Sequence, residues 1–267
     1  MKSLSLMQAW NEAAAFVRRE ARLIFPIALL LNALPMAFAA ALMPEFAEGR
    51  MPQAGLWMGL IPAAAAIGIL GHVAISHLIL FPGRTVREAL ACALRRFPAL
   101  LGLYLLVLLG LGLALLLLSL AAALFGRGGA PGAGAAASIL FLPLVVLLLF
   151  VGTRLLLTSP IAAAEPGGPL AVGRRSWRLT QPWFWPLLCF LVLTNVAASA
   201  LSFVLRSAVQ VPIELVSGPP GPGSAGAILL LLVGALVGAT VTAYVTAAIA
   251  RIYACLATAS PAAASGT

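Results

Sequence analysis

The sequence predicts an all-α polytopic membrane protein, with six transmembrane helices paired as three hairpins and a cytoplasmic amphipathic interfacial helix ahead of each. Three observations predict it. The chain of 267 residues is 63% hydrophobic and only 9% charged, where a soluble domain carries roughly 25% charged residues. Its apolar residues fall into six long runs, each near the ~20 residues that cross a ~30 Å hydrocarbon core at ~1.5 Å per residue. Its bases then collect on one side when those runs are threaded alternately through a membrane.

The six runs are 23–43, 56–81, 98–125, 137–159, 184–205 and 226–250. The third and fourth are joined by the breaker-rich turn GRGGAPGAG at 126–134, the fifth and sixth by VSGPPGPGSAG at 216–226. No polar stretch is long enough to hold a soluble core, so residues 1–255 read as one membrane domain and 256–267 as a disordered tail. Residues 1–22 mix acids and arginines and have no small-residue cleavage site, so they read as a retained segment rather than a signal peptide.

Charge fixes the expected orientation. With the N-terminus inside, 13 of the 16 bases are inside and only Arg50, Arg127 and Arg206 outside. Both termini are then cytoplasmic, and the whole +9 excess faces the cytoplasm. Fifteen of the bases are arginine and Lys2 is the one lysine. With the heavy use of Ala, Leu and Gly, that bias points to a GC-rich bacterial genome and hence to a bacterial cytoplasmic (inner) membrane. The expected partners are anionic phospholipid headgroups, worth about 1 kcal/mol per exposed base, together with a partner protein or a second copy of the chain. Nucleic acid is not expected, because the positive charge lies against lipid.

The three inside segments share a pattern. AWNEAAAFVRREARLIFPIALLL (9–31), RTVREALACALRRFPALLGLYLL (84–106) and PLAVGRRSWRLTQPWFWPLLCFLVL (169–193) each carry an arginine pair and run into a span. The starts of those spans lie 75 and then 88 residues apart. A threefold repeat of about 1–82, 83–160 and 161–255 follows from this reading. In the second stretch Val86, Leu90, Leu94 and Phe97 recur at helical spacing, with Arg84, Arg87, Glu88 and Arg95 on much of the rest. Such a helix lies in the interface with its apolar face toward the acyl chains. The generic alternative is that arginine-rich inside loops of any membrane protein resemble one another.

Chemistry-bearing groups are sparse. Arg154 stands in the apolar run VLLLFVGTRLLLTSP (146–160). A charge within a span is a functional candidate, and near the inner end it can also snorkel to phosphates. Glu165 is its expected cytoplasmic partner, with Pro160 ending or kinking the helix between them. His72 and His77 are five apart and so do not share a helical face, which opposes a metal pair. Asn195, Thr240, Thr242 and Thr246 read as interhelical hydrogen-bonding groups, and Gly234/Gly238 and Gly55/Gly59 as points of close helix approach. Cys92, Cys189 and Cys255 form neither a disulfide framework nor a zinc motif. No acid lies within a span, no Walker, GxSxG or HExxH motif occurs, and no cofactor is expected. The chain therefore reads as a non-enzyme.

The stretch RLLLTSPIAAAEPGGPLAVGRRSWRLTQPWFWPLLCFLVL (154–193) carries Arg154, Pro160, Glu165, Gly168-Pro169-Leu170, Arg175-Ser176-Trp177 and Phe184-Trp185. It resembles the bacterial membrane domain found fused to glycerophosphoryl diester phosphodiesterases, and that domain's stand-alone relatives. The resemblance implies a membrane domain without the catalytic barrel, for which this chain has no room. The reading that follows is a membrane module engaging anionic lipid or a partner protein through its arginine-rich cytoplasmic face. Arg154, Glu165, Arg174, Arg175, Trp177, Arg178, Arg95 and Arg96 are its candidate binding residues, and Arg175→Glu is expected to weaken lipid retention. The alternative is a channel or transporter for a small solute or lipid, with a polar path through Asn195 and the threonines of the last span.

Overall fold

The computed structural model describes residues 6–41, 55, 57–125, 133–218, 221 and 224–259. Every regular element among them is a helix. Six stretches are long and apolar enough to cross a membrane: Ala21–Ala39, Gly59–Leu80, Val86–Leu117, Pro143–Ala164, Phe184–Leu215 and Ala225–Thr258. Each coincides with one of the six apolar runs. The helices are α1 (Leu6–Arg19), α2 (Ala21–Ala28), α3 (Leu34–Ala41), α4 (Trp57–Leu80), α5 (Val86–Phe125), α6 (Ala133–Arg154), α7 (Thr158–Ala164), α8 (Pro169–Thr180), α9 (Phe184–Ser217) and α10 (Ala225–Ala259). Residues 126–132, most of the expected external turn, lie outside the described residues, as do 260–267 of the expected tail; 256–259 continue α10.

The first span is not a uniform helix. Pro26 sits inside α2, where it withholds one backbone donor. Beyond it the chain widens into a π-helical turn, Leu29–Ala33, before α3. The extra residue in that turn buries Asn32 and Ala33 side by side. Asn32 reaches the backbone of α4 at two glycines. A β-carbon on Gly71 would collide with Asn32 Nδ2 and come within 3.0 Å of Leu31 Cβ, and one on Gly68 would lie 3.3 Å from Asn32 Oδ1. Close helix approach thus falls at Gly68 and Gly71. The expected pairs do not provide it: Gly59 and Gly234 face open space, and Gly238 meets only Ala33 at ordinary contact distance.

The three arginine-rich segments fold differently. α1 packs along α10 and buries Ala9, Ala13, Phe16 and Val17. It ends at Arg19, and Glu20 interrupts the helix with φ −104° and ψ 21° before α2 begins. The segment 84–96 is not a separate helix, because α5 continues through Pro98 into the third span without a break. Thr85 and Glu88 cap its start reciprocally, with each backbone N–H 3.3 Å from the other's side-chain oxygen. Its buried face is Ala89, Ala93, Leu100 and Leu103, while Leu90 and Leu94 of the face expected toward the acyl chains are exposed. The third segment does form its own helix. α8 opens on Gly168 and Pro169, with proline at the first helical position. It stops at Thr180 because Pro182 cannot continue it.

The helix expected to end or kink at Pro160 breaks earlier. α6 stops at Arg154, Leu155–Leu157 form a turn, and α7 restarts at Thr158. Pro160 then falls in the first turn of α7, where its missing N–H would have had no intrahelical partner. Thr158, Pro160, Ile161, Ala162 and Ala163 of this short helix are all buried, against α4, α5, α8 and α10. α7 is therefore a plug between spans at the end where α1, the 81–85 turn and the last turns of α10 also gather. The second and sixth spans form the centre: α4 packs on α5, α7, α10 and the first span, and α10 packs on α1, α9 and the first span. The third and fifth spans are peripheral, with 11% and 6% of their apolar windows buried against 44% for the second.

Candidate functional site

Three elements bring aromatic rings to Arg154. Phe150 lies one turn earlier on α6, on the same helical face. Trp177 comes from the middle of α8, and Phe184 from the first residue of α9. The guanidinium carbon stands 5.3 Å from the Phe150 ring centroid, 5.0 Å from Trp177 and 5.0 Å from Phe184. The rings support one another, with Phe150 edge-on to Trp177 at 5.6 Å and tilted against Phe184 at 5.5 Å. The α6 carbonyl of Arg154 accepts a 2.7 Å hydrogen bond from Ser176 Oγ, which ties α8 to the helix end. Two glycines let α8 sit this close to α5. A β-carbon on Gly102 would lie 3.1 Å from Pro169 Cγ, and one on Gly173 would lie 3.0 Å from Leu103 Cδ1.

Glu165 is not the partner of Arg154. Its Oε1 accepts from Arg175 Nε at 3.3 Å and from the Tyr253 hydroxyl at 2.8 Å. The reason is the α7 restart: the turn at Leu155–Leu157 carries the chain away from the Arg154 side chain, and the extended Glu165 faces α10 and the second turn of α8. Glu165 thus links the α7–α8 joint to α8 and α10. Arg175 is part of that link. An Arg175→Glu change would set two carboxylates against each other, so it tests the joint before it tests any ligand.

Arg154 has no ion pair among the described residues, and its Nε and Nη1 are buried with no hydrogen-bond partner. The other acids at this end are all engaged: Glu12 by Gln8, Glu20 by Arg19, and Glu88 by Arg84 and the Thr85 N–H. Arg174, Arg178 and Arg95 are exposed and Arg96 is partly buried, and none of these makes an ion pair among the described residues. Trp177 keeps 42% of its surface exposed although its ring covers Arg154. Of the candidate residues, the fold brings Arg154 and Trp177 into one constellation and Glu165 and Arg175 into another. Arg174 and Arg178 flank both on α8, and Arg95 and Arg96 lie apart on α5.

Phe150 and Tyr253 join these two constellations without having been singled out in the sequence. Phe150 has a signal, since an aromatic four residues before an intramembrane arginine shares its face. Tyr253 has none, as its contact spans 88 residues of sequence. Among the other expected polar contacts, His72 Nδ1 and Thr246 Oγ1 do meet across the second and sixth spans at 2.9 Å. Asn195 and Thr240 instead donate to carbonyls of their own helices, Leu191 and Leu236, on exposed faces. Comparison of the chain with protein-family models, with curated proteins and with solved structures finds no match.

Proposed function

We propose that the protein is a non-enzymatic membrane module that engages anionic lipid through its arginine-rich end, in a bacterial inner membrane with that end cytoplasmic. The observation that carries this reading is the imbalance of partners at that end. The described acids there are each held by a neighbour, while Arg174, Arg178, Arg95 and Arg96 are left without a carboxylate. Bases in that state attract a negatively charged headgroup layer. α1 and α8 suit the interface, each burying one stripe on the bundle and leaving Arg18 and Arg19, and Arg174 and Arg178, outside. In this reading the spans pair as three hairpins, each led by an arginine-rich helical segment, of which the first and third are separate helices and the second is the start of α5. The resemblance of 154–193 to a membrane domain lacking a catalytic barrel supports the same reading.

The alternative of a solute path needs polar groups aimed between spans. Asn195 and Thr240, two of the residues it would use, are turned onto their own helices. Native mass spectrometry from a mild detergent, with retained lipids identified, tests the proposal. Wild-type protein is expected to carry anionic phospholipid, and Arg174→Glu with Arg178→Glu to carry less while melting unchanged. Equal retention by both proteins would refute it.

A further inference from the structure

We propose that Arg154, seated among Phe150, Trp177 and Phe184, is a receptor for one phosphodiester group of a membrane phospholipid, and that it favours a headgroup without an ammonium. This deepens the lipid-engaging reading and rests on it.

The seat holds a charge without an anion. Three rings within 5.3 Å stabilise the cation, each by about 0.5–2 kcal/mol. They leave the N–H edges without acceptors, and Nε and Nη1 have none among the described residues. A buried donor left unmade is unfavourable; Nε and Nη1 are enclosed, so an oxyanion from outside the chain meets the guanidinium at Nη2 and reaches the enclosed donors as a ring gives way. A guanidinium suits that task better than an ammonium, since its planar fork matches two phosphate oxygens and its faces stack on rings. Rings on three separate elements hold the guanidinium carbon in place before any ligand binds.

The surroundings say where the oxyanion comes from. Trp185, next to Phe184, is 75% exposed, and Leu170 at the start of α8 is exposed as well. A large apolar surface around a cation at the end of a span belongs at the headgroup level, where tryptophan gathers. The acyl chains of a lipid placed there have the exposed stripe of α9, Val192, Leu193 and Val196, to lie against. A free phosphate shares the headgroup's chemistry but gains nothing from that stripe. Glu165 faces Arg175 and Tyr253 rather than Arg154, and no described carboxylate pairs with Arg154, so an ammonium headgroup seated there meets no acid beside the guanidinium and a glycerol headgroup loses nothing.

The test uses the full chain in nanodiscs of phosphatidylglycerol or phosphatidylethanolamine, released into detergent for native mass spectrometry. Arg154→Lys keeps the charge and removes the fork; Trp177→Leu keeps the arginine and removes a ring. Both are expected to retain the last phosphatidylglycerol about tenfold less well than wild type, with little change for phosphatidylethanolamine. Millimolar inorganic phosphate is expected not to displace it. Wild-type retention by both variants overturns the proposal, as does displacement by phosphate alone, which would make the ligand a soluble anion. Should Arg154→Lys misfold, Trp177→Leu decides. If the Arg154 and Trp177 variants keep lipid while Arg174→Glu with Arg178→Glu sheds it, the seat fails and the broader reading stands. If no variant sheds lipid, both fail.

Discussion

The two ends of the molecule are built for different solvents. At the arginine-rich end α1, α7, α8 and the last turns of α4 and α10 bury their side chains against one another, and Ile24, Ile75, Ile79, Leu157, Ile161 and Ile252 are wholly enclosed. Toward the other end α5 and α9 carry large apolar side chains that touch little protein, with Leu109 at 71% and Phe203 at 73% exposure. In water that surface would drive aggregation. In a bilayer the lipid is as apolar as leucine, so nothing is gained by covering it. Tertiary stability is therefore concentrated where irregular backbone, buried threonines and charges must be sheltered.

The sharpest test of that contrast lies within one helix. Leu100 and Leu109 are both on α5, yet Leu100 is fully buried and Leu109 is mostly exposed. Leu100→Ala is expected to lower unfolding free energy by about 2–5 kcal/mol and Leu109→Ala by less than about 0.5, read by urea or sodium dodecyl sulfate titration in mixed micelles. Equal losses would break the comparison. Next in size is Gly71→Val, which drives a branched side chain into Asn32 and Leu31; a loss of about 1–3 kcal/mol is expected, whereas Gly59→Val, which meets nothing within 4 Å, should melt as wild type.

Tyr253→Phe removes one of two donors to Glu165. It should lower stability by about 1–3 kcal/mol and loosen the α7–α8 joint, seen as faster amide exchange at Glu165, whose N–H bonds to the Ile161 carbonyl. An unchanged exchange rate there would show that Arg175 alone holds the joint. The smallest effect belongs to Thr246→Val, which takes away the interhelical contact to His72; membrane hydrogen bonds of this kind average about 0.6 kcal/mol. A loss several times larger would show that the pair serves something other than packing.

Much of the architecture was legible beforehand. The apolar runs located all six membrane-crossing stretches, because a span must be long and apolar whatever its neighbours are. Proline and glycine marked the start of α8 at Gly168-Pro169 and its stop before Pro182. Thr85-x-x-Glu88 is a readable capping box. The same local rules misjudged the joint at Arg154, where the helix ends three residues before α7 starts rather than at Pro160. For 86–97 they turned Leu90 and Leu94 toward the acyl chains, and both are exposed, but they did not single out Ala89 and Ala93 as the face that packs inward. Against close helices small residues are buried, and the larger apolar ones face outward, which hydrophobicity alone cannot foretell.

By itself the sequence located six stretches long and apolar enough to cross a membrane, because hydropathy is a property of short segments. Only the tertiary structure decided the pairing. Glu165 takes Arg175 and Tyr253, and Arg154 is left to three rings from three helices. Those choices depend on where the α7 turn sends the chain and on how closely Gly102 and Gly173 let α8 approach. Distances across tens of residues follow from packing, and packing is a property of the whole fold.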